Sequence, residues 1–236
     1  MKFFITFITA LILFNSAQAQ DCPSAHKVPD INCDGRVMVT VIGDSLVAGI
    51  GDTKNDNKGG YVLRASAKLK KIEFNSVGVP GLRTLELLKL LKQVFSAKSE
   101  LAKSDIVILD IGRNDRWLFG EPLATYRNLK RASAQIKKAG KKSQGKPPLV
   151  VTAVLMLPNR GSQGPWVKEL NSIILKNSTR KDPGDLRFGL VSKRVVNSDQ
   201  VHPTSQGYEQ LSKTLVHYLS KTLPKKISKK KNKKQS

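Results

Sequence analysis

The run Val37-Met-Val-Thr-Val-Ile42 is apolar and rich in β-branched residues, and it stops at Gly43-Asp44-Ser45. A stretch this short and this apolar suits a strand buried on both faces, as in a parallel sheet. Glycine allows a sharp exit, and Asp and Ser are both residue types that cap a following helix. In open α/β sheets ligands are met at the carboxyl ends of the strands. The stretch Val37–Val47 therefore predicts a strand that delivers Ser45 to such an end. A plain helix cap is the alternative use of the same serine.

Strand and helix alternate after it. A polar loop, Gly51–Gly60, leads to a predicted helix over Tyr61–Lys70 and a second strand over Lys71–Val77. Thr84 is placed to cap a leucine-rich helix from Leu85 to Phe95, with Glu86 in its first turn where the helix dipole favours an acid. A third strand covers Asp105–Ile111. Pro122 suits the first turn of a helix that puts Tyr126, Leu129, Ala132 and Ile136 on one face and Arg127, Lys130, Arg131 and Lys138 on the other, a solvated face. A fourth strand, Leu149–Leu155, runs into Met156–Pro165, a candidate substrate loop by position. A helix over Trp166–Asn177, a short fifth strand over Leu186–Leu190 and a last helix from Thr204 to about Leu223 complete the chain. The last helix lines up Tyr208, Leu211, Leu215 and Leu219 and leaves His217 on the opposite, surface side. This alternation predicts a three-layer α/β/α fold, a parallel sheet covered on both faces with right-handed crossovers.

The 236 residues suffice for one such domain, expected over 36–223. Residues 1–19 read as a secretory signal: a charged start at Lys2, an apolar stretch Phe3–Phe14 and an Ala17-Gln18-Ala19 site. The apolar stretch, about 12 residues, falls short of the ~20 that span a bilayer. Gln20 and Asp21 before Cys22 argue against lipidation. Export, periplasmic or extracellular, makes the two cysteines readable, since disulfides persist outside the reducing cytoplasm. Cys22 and Cys33 are expected to pair and to pin residues 20–35; a metal site is the rival, with His26 alone nearby.

Lys and Arg number 41 against 18 Asp and Glu, a formal charge of +23. A polyanionic neighbour is implied. With 6% aromatic residues, an export signal and no recognisable nucleic-acid module, the expected partner is an anionic envelope polymer or lipid surface rather than nucleic acid. Residues 224–236 carry seven lysines from Lys225 to Lys234 and should be disordered. They are the expected tether, with a merely solubilising tail as the alternative.

A serine hydroxyl becomes a useful nucleophile only when a base takes its proton, and histidine suits that task. His26 lies beside the cysteines and His217 on a surface face. His202 sits in a loop three residues after Asp199, a spacing that lets the carboxylate return to one imidazole nitrogen while the other faces the serine. Asp199 as the cap of the next helix is the alternative. Acyl transfer also needs hydrogen-bond donors aimed at the developing oxyanion.

Four blocks in order, Gly43-Asp44-Ser45-Leu46, Gly78-Val79-Pro80-Gly81, Gly112-Arg113-Asn114-Asp115 and Asp199-Gln200-Val201-His202-Pro203, resemble the SGNH (GDSL-type) hydrolase family of serine esterases, lipases, thioesterases and carbohydrate deacetylases. The resemblance runs from about Arg36 to about Leu219. It implies five strands in flavodoxin-like order, a nucleophile at Ser45 with His202 as base and Asp199 as its orienter, and an oxyanion hole built from the Ser45 and Gly81 N–H groups and the Asn114 amide. Gly78 is the alternative to Gly81. Asp115 would support the loop. The resemblance calls for no metal or organic cofactor. Arg113 departs from it, standing where the family usually has a small or neutral residue. The implied activity is hydrolysis of an acetyl or acyl ester of an envelope carbohydrate or lipid. Transfer of the acyl group to a sugar hydroxyl by the same residues and binding of envelope polyanions on an inactive hydrolase fold are the alternatives.

Overall fold

The computed structural model describes residues 22, 24–25, 28–96, 98–118, 120–156, 163–190 and 195–223. The expected signal, the lysine tail and positions 157–162 of the expected substrate loop lie outside the described residues.

Five parallel strands form the sheet: β1 (Met38–Gly43), β2 (Glu73–Gly78), β3 (Ile106–Asp110), β4 (Leu149–Val154) and β5 (Leu186–Arg187). Their order is β2-β1-β3-β4-β5, the flavodoxin-like arrangement, with the chain reversing direction across the sheet between β1 and β3. Side chains alternate between the two faces. Val39, Val41, Ile106, Ile108, Val151 and Ala153 join one aliphatic core, while Ile42, Val107, Leu109, Val150 and Val154 join the other. Both faces are buried, which is why the three central strands read as unbroken apolar runs.

Helices α2 (Gly60–Lys68) and α6 (Ser205–His217) cover the first face, and α3 (Thr84–Val94), α4 (Pro122–Gln144) and α5 (Gln163–Lys176) cover the second. Tyr208, Leu211, Leu215 and Leu219 are fully buried and His217 is exposed, as the 3.6-residue period required. In α4, Leu129, Ala132 and Ile136 face the core, while Arg127, Lys130, Arg131 and Lys138 are exposed.

Two elements differ from expectation. Thr84 does not cap α3. Arg83 occupies the cap position, its N–H donating to Glu86 at 3.1 Å, and Thr84 is buried as the first helical residue with its N–H on Asp115. The fifth strand is two residues long. After Arg187 the chain tightens into a turn over Phe188–Leu190, and the Phe188 ring packs 4.9 Å from Tyr61 instead of extending the sheet edge.

At the amino ends of the strands, Cys22 and Cys33 form the expected disulfide. The Asp105 carboxylate accepts the Ile31 N–H at 2.5 Å and the Met38 N–H at 2.8 Å, fixing the segment before β1 to the sheet. No described helix is long and apolar enough to cross a membrane.

Candidate functional site

Ser45 stands at the carboxyl end of β1, in the first turn of the short helix α1 (Ser45–Ala48). The cap of that helix is Asp44, which accepts the Leu46 N–H at 3.1 Å. The serine side chain is thereby left for other partners. Ser45 keeps 9% of its surface exposed while its neighbours Asp44, Leu46 and Val47 keep 1% or less.

The loop bearing His202 is tied down at both ends. Val196 bridges Pro203, the Asn197 N–H donates to the His202 carbonyl at 2.8 Å, and the Thr204 N–H donates to the Val195 carbonyl at 2.8 Å. The Asn197 amide reaches across to the Gly51 carbonyl at 3.3 Å, and the Tyr208 hydroxyl donates to the Ile50 carbonyl at 2.7 Å. These bonds latch the loop to the segment that follows the serine. Thr204, not Asp199, caps α6, accepting the Gly207 N–H at 3.3 Å.

With the loop held so, His202 Nε2 lies 2.9 Å from Ser45 Oγ, and His202 Nδ1 lies 2.6 Å from Asp199 Oδ2. The other carboxylate oxygen of Asp199 accepts the Val201 and His202 N–H groups at 2.9 and 3.0 Å. Partial burial works against ionisation of Asp199, but these N–H groups and the imidazole outweigh it and hold its carboxyl below the usual range. The chain Asp199–His202–Ser45 is thus continuous, with a carboxylate that stays charged at one end and a hydroxyl at the other.

The two glycines of the second block have different settings. Gly78 is the last residue of β2, and a Cβ there would lie 2.2 Å from the Ala48 backbone nitrogen, so its bare backbone packs against α1. Gly81 is in the loop beyond, at φ +76°, exposed, and a Cβ there would meet nothing within 4 Å among the described residues. Asn114 reaches that loop directly, its side-chain amide donating to the Leu82 carbonyl at 3.1 Å. An amide carries two hydrogens, so this bond leaves Asn114 a second donor. Asp115 accepts from the Thr84 N–H at 2.8 Å, from the Thr84 hydroxyl and from the Thr125 hydroxyl at 2.9 Å, binding the starts of α3 and α4 to the Asn114 loop.

Beneath these loops lies a buried polar cluster that the sequence reading missed. Arg113 donates to Asp44 and to Asp110, each at 2.6 Å, and the Tyr61 hydroxyl donates to Asp110 at 2.9 Å. Burial lowers the affinity of Arg113 for its proton, but Asp110 and Asp44 more than restore it, and the guanidinium stays charged. Burial raises Asp44 above the usual carboxylate range, with Arg113 opposing and Asp110 adding to the rise. The signal was present in the sequence: an acid at the end of an apolar strand, three residues before an arginine, has to be paired if it is buried. Among the described residues, no group of three or more His, Cys, Asp or Glu side chains could hold a metal ion.

Comparison with known proteins bears on the family and the fold. The GDSL-like Lipase/Acylhydrolase family matches residues 41–210. A lipolytic G-D-S-L family protein from Veillonella parvula superposes with a TM-score of 0.62 at 15% identity, over 78% of this chain and 99% of its own. The esterase EstA from a Pseudoalteromonas species gives 0.61 at 16% identity, over 79% and 98%. A carbohydrate acetylesterase from Sinorhizobium meliloti gives 0.60 at 15% identity, over 78% and 99%. No curated protein matches the chain at the level of sequence. At such identities the structures speak for the fold, and the match to residues 41–210 speaks for the family. The chain belongs to the GDSL-like lipase/acylhydrolase family and is a hydrolase of ester bonds.

Proposed function

We propose that the chain cleaves its ester through an acyl-enzyme on Ser45. The carrying observation is the hydrogen-bonded series from Asp199 through His202 to Ser45, with contacts of 2.6 and 2.9 Å at the carboxyl edge of the sheet. His202 takes the Ser45 proton as Oγ attacks the ester carbon, and Asp199 holds the imidazole in the needed tautomer. Negative charge gathers on the former carbonyl oxygen, where the Ser45 and Gly81 N–H groups and the Asn114 amide receive it. His202 then protonates the departing alcohol, and the acyl group remains on Ser45. Water, deprotonated by His202, releases the acid and restores the serine. A sugar hydroxyl in place of water would make the same residues an acyltransferase. Inhibition of the Pseudoalteromonas esterase by monoethylphosphonate is in keeping with an activated serine in this fold.

The ester is an acetyl or acyl group on an envelope carbohydrate or lipid, and the protein is exported. The disulfide supports export, as does the charged and apolar start of the sequence. The net charge of +23 and the lysines from Lys225 to Lys234 support an anionic envelope surface as the place of work. The carbohydrate acetylesterase of the same fold supports the carbohydrate half of this reading. A panel of p-nitrophenyl esters from acetyl to long-chain, with Ser45→Ala as control, tests the mechanism. A loss on the order of 10³-fold or more in folded Ser45→Ala is expected, and near-normal turnover by that variant contradicts it. Truncation after Leu223 tests the tether: activity on a soluble ester is retained while binding to anionic vesicles at low salt falls, and equal binding refutes it.

A further inference from the structure

We infer that Arg113 is a positioning residue, a buried cross-brace that sets the distance between Ser45 and Asn114; the inference rests on the acyl-enzyme reading above. Ser45 and Asn114 come from loops after different strands, β1 and β3, and no backbone ladder joins those loops beyond Gly43 and Asp110. The join is made by side chains. Asp44 immediately precedes Ser45, Arg113 immediately precedes Asn114, and the two meet at 2.6 Å with 0% and 6% of their side chains exposed. The second arm of the same guanidinium grips Asp110, the last residue of β3, also at 2.6 Å. Tyr61 on α2 holds the far oxygen of Asp110. One planar fork therefore fixes the nucleophile's neighbour and the sheet's end to the residue beside the amide donor.

Stability alone is a poor reason for this cluster. It buries two carboxylates against one guanidinium, and Asp44 Oδ2 and Arg113 Nε are enclosed without a hydrogen-bond partner among the described residues. A buried ion pair rarely outperforms an aliphatic filling of the same volume, and each orphaned polar atom adds to its cost. What the arrangement supplies is geometry. An oxyanion donor misplaced by about 1 Å can lose on the order of 10²-fold in rate, while substrate binding is little affected.

Removing the cation outright would leave two carboxylates facing each other in the core, so the test keeps the charge and removes the fork. Arg113→Lys offers one nitrogen where two acids are now held by two. Asp44→Asn weakens the same contact from the other side, retains a cap for α1 and leaves Asp110 as the counterion of Arg113. In the full-length chain acting on p-nitrophenyl acetate, each variant is expected to lose about 10- to 100-fold in kcat with KM within about twofold. In an Asn114→Ala background the same changes are expected to add little further loss, because the donor they position is gone. If Arg113→Lys and Asp44→Asn lower the melting temperature but leave kcat intact, the brace is purely structural and the inference fails. Losses that multiply with that of Asn114→Ala also overturn it. An Asn114→Ala variant with full kcat overturns both the brace and the oxyanion reading, whereas a slow Asn114→Ala beside a fast Arg113→Lys overturns the brace alone.

Discussion

Asp44 and Arg113 hold each other across 2.6 Å, one residue before Ser45 in the first case and one residue before Asn114 in the second. Elsewhere the interior on both faces of the sheet is largely aliphatic. Beneath the edge that carries Ser45 and Asn114 it is ionic, and it is there that loops from two strands meet. The His202 loop is fitted by different means, through Asn197 on the Gly51 carbonyl and Tyr208 on the Ile50 carbonyl.

The two glycines of the second block should separate stability from catalysis. A Cβ at Gly78 collides with the Ala48 backbone, so Gly78→Ala is expected to cost about 1–3 kcal/mol and to lower the melting temperature by several degrees. At Gly81 the space is open and the penalty is the left-handed backbone alone, about 1–2 kcal/mol. In the proposed mechanism the Gly81 N–H receives the oxyanion, and any shift of φ there turns it, so Gly81→Ala should lose kcat. Thermal melts and kcat on the folded variants check this. A kcat loss confined to Gly78→Ala would return the oxyanion role to Gly78.

Activity should fall as the pH drops and His202 takes up a proton, since a protonated imidazole cannot accept one from Ser45. Asp199 does not contribute a second step, because its backbone donors and the imidazole keep its carboxyl below the usual carboxylate range. The expected acid limb of kcat/KM is therefore a single protonation. A flat profile, or a steeper fall requiring two protons, counts against the assignment.

Burial raises Asp105 to about 6, against the pull of the Met38 and Ile31 N–H groups. From the ordinary carboxylate value of 3.8 up to about 6, the folded protein keeps a proton that the unfolded chain has released. The contribution of this group to stability is therefore full below that lower value and is lost as pH rises through the upper one. Asp105→Asn, which does not titrate, should flatten this part of the slope of melting temperature against pH. An unchanged slope would mean that Asp105 is not the group responsible.

The strands and most helices were legible because their burial follows simple periods: unbroken apolar runs for a sheet covered twice, and the Tyr208-Leu211-Leu215-Leu219 stripe for α6. Ser45 was marked by its place at the end of an apolar strand, His202 by elimination of His26 and His217, and Asp199 by its spacing from His202 within the motif blocks, and the structure brings the three into one hydrogen-bonded series. Less was legible where a residue serves a distant partner. Thr84 has the chemistry of a cap, yet Asp115, 31 residues on, takes both its donors. Phe188 has strand propensity, yet it packs against the ring of Tyr61, and β5 stops after Arg187. The pairing of Arg113 with Asp110 had a local signal, an acid three residues before an arginine, but nothing local marks its pairing with Asp44, 69 residues away.

The central claim is that Ser45 is a nucleophile made reactive by His202. Labelling the purified protein with a fluorophosphonate, followed by mass analysis of its peptides, addresses it most directly, because a phosphonate forms a stable bond to an activated serine. One adduct is expected, on the peptide containing Ser45, absent from Ser45→Ala and formed far more slowly in His202→Ala. A folded protein that takes up no label, or takes it elsewhere while Ser45 remains unmodified, would contradict the account.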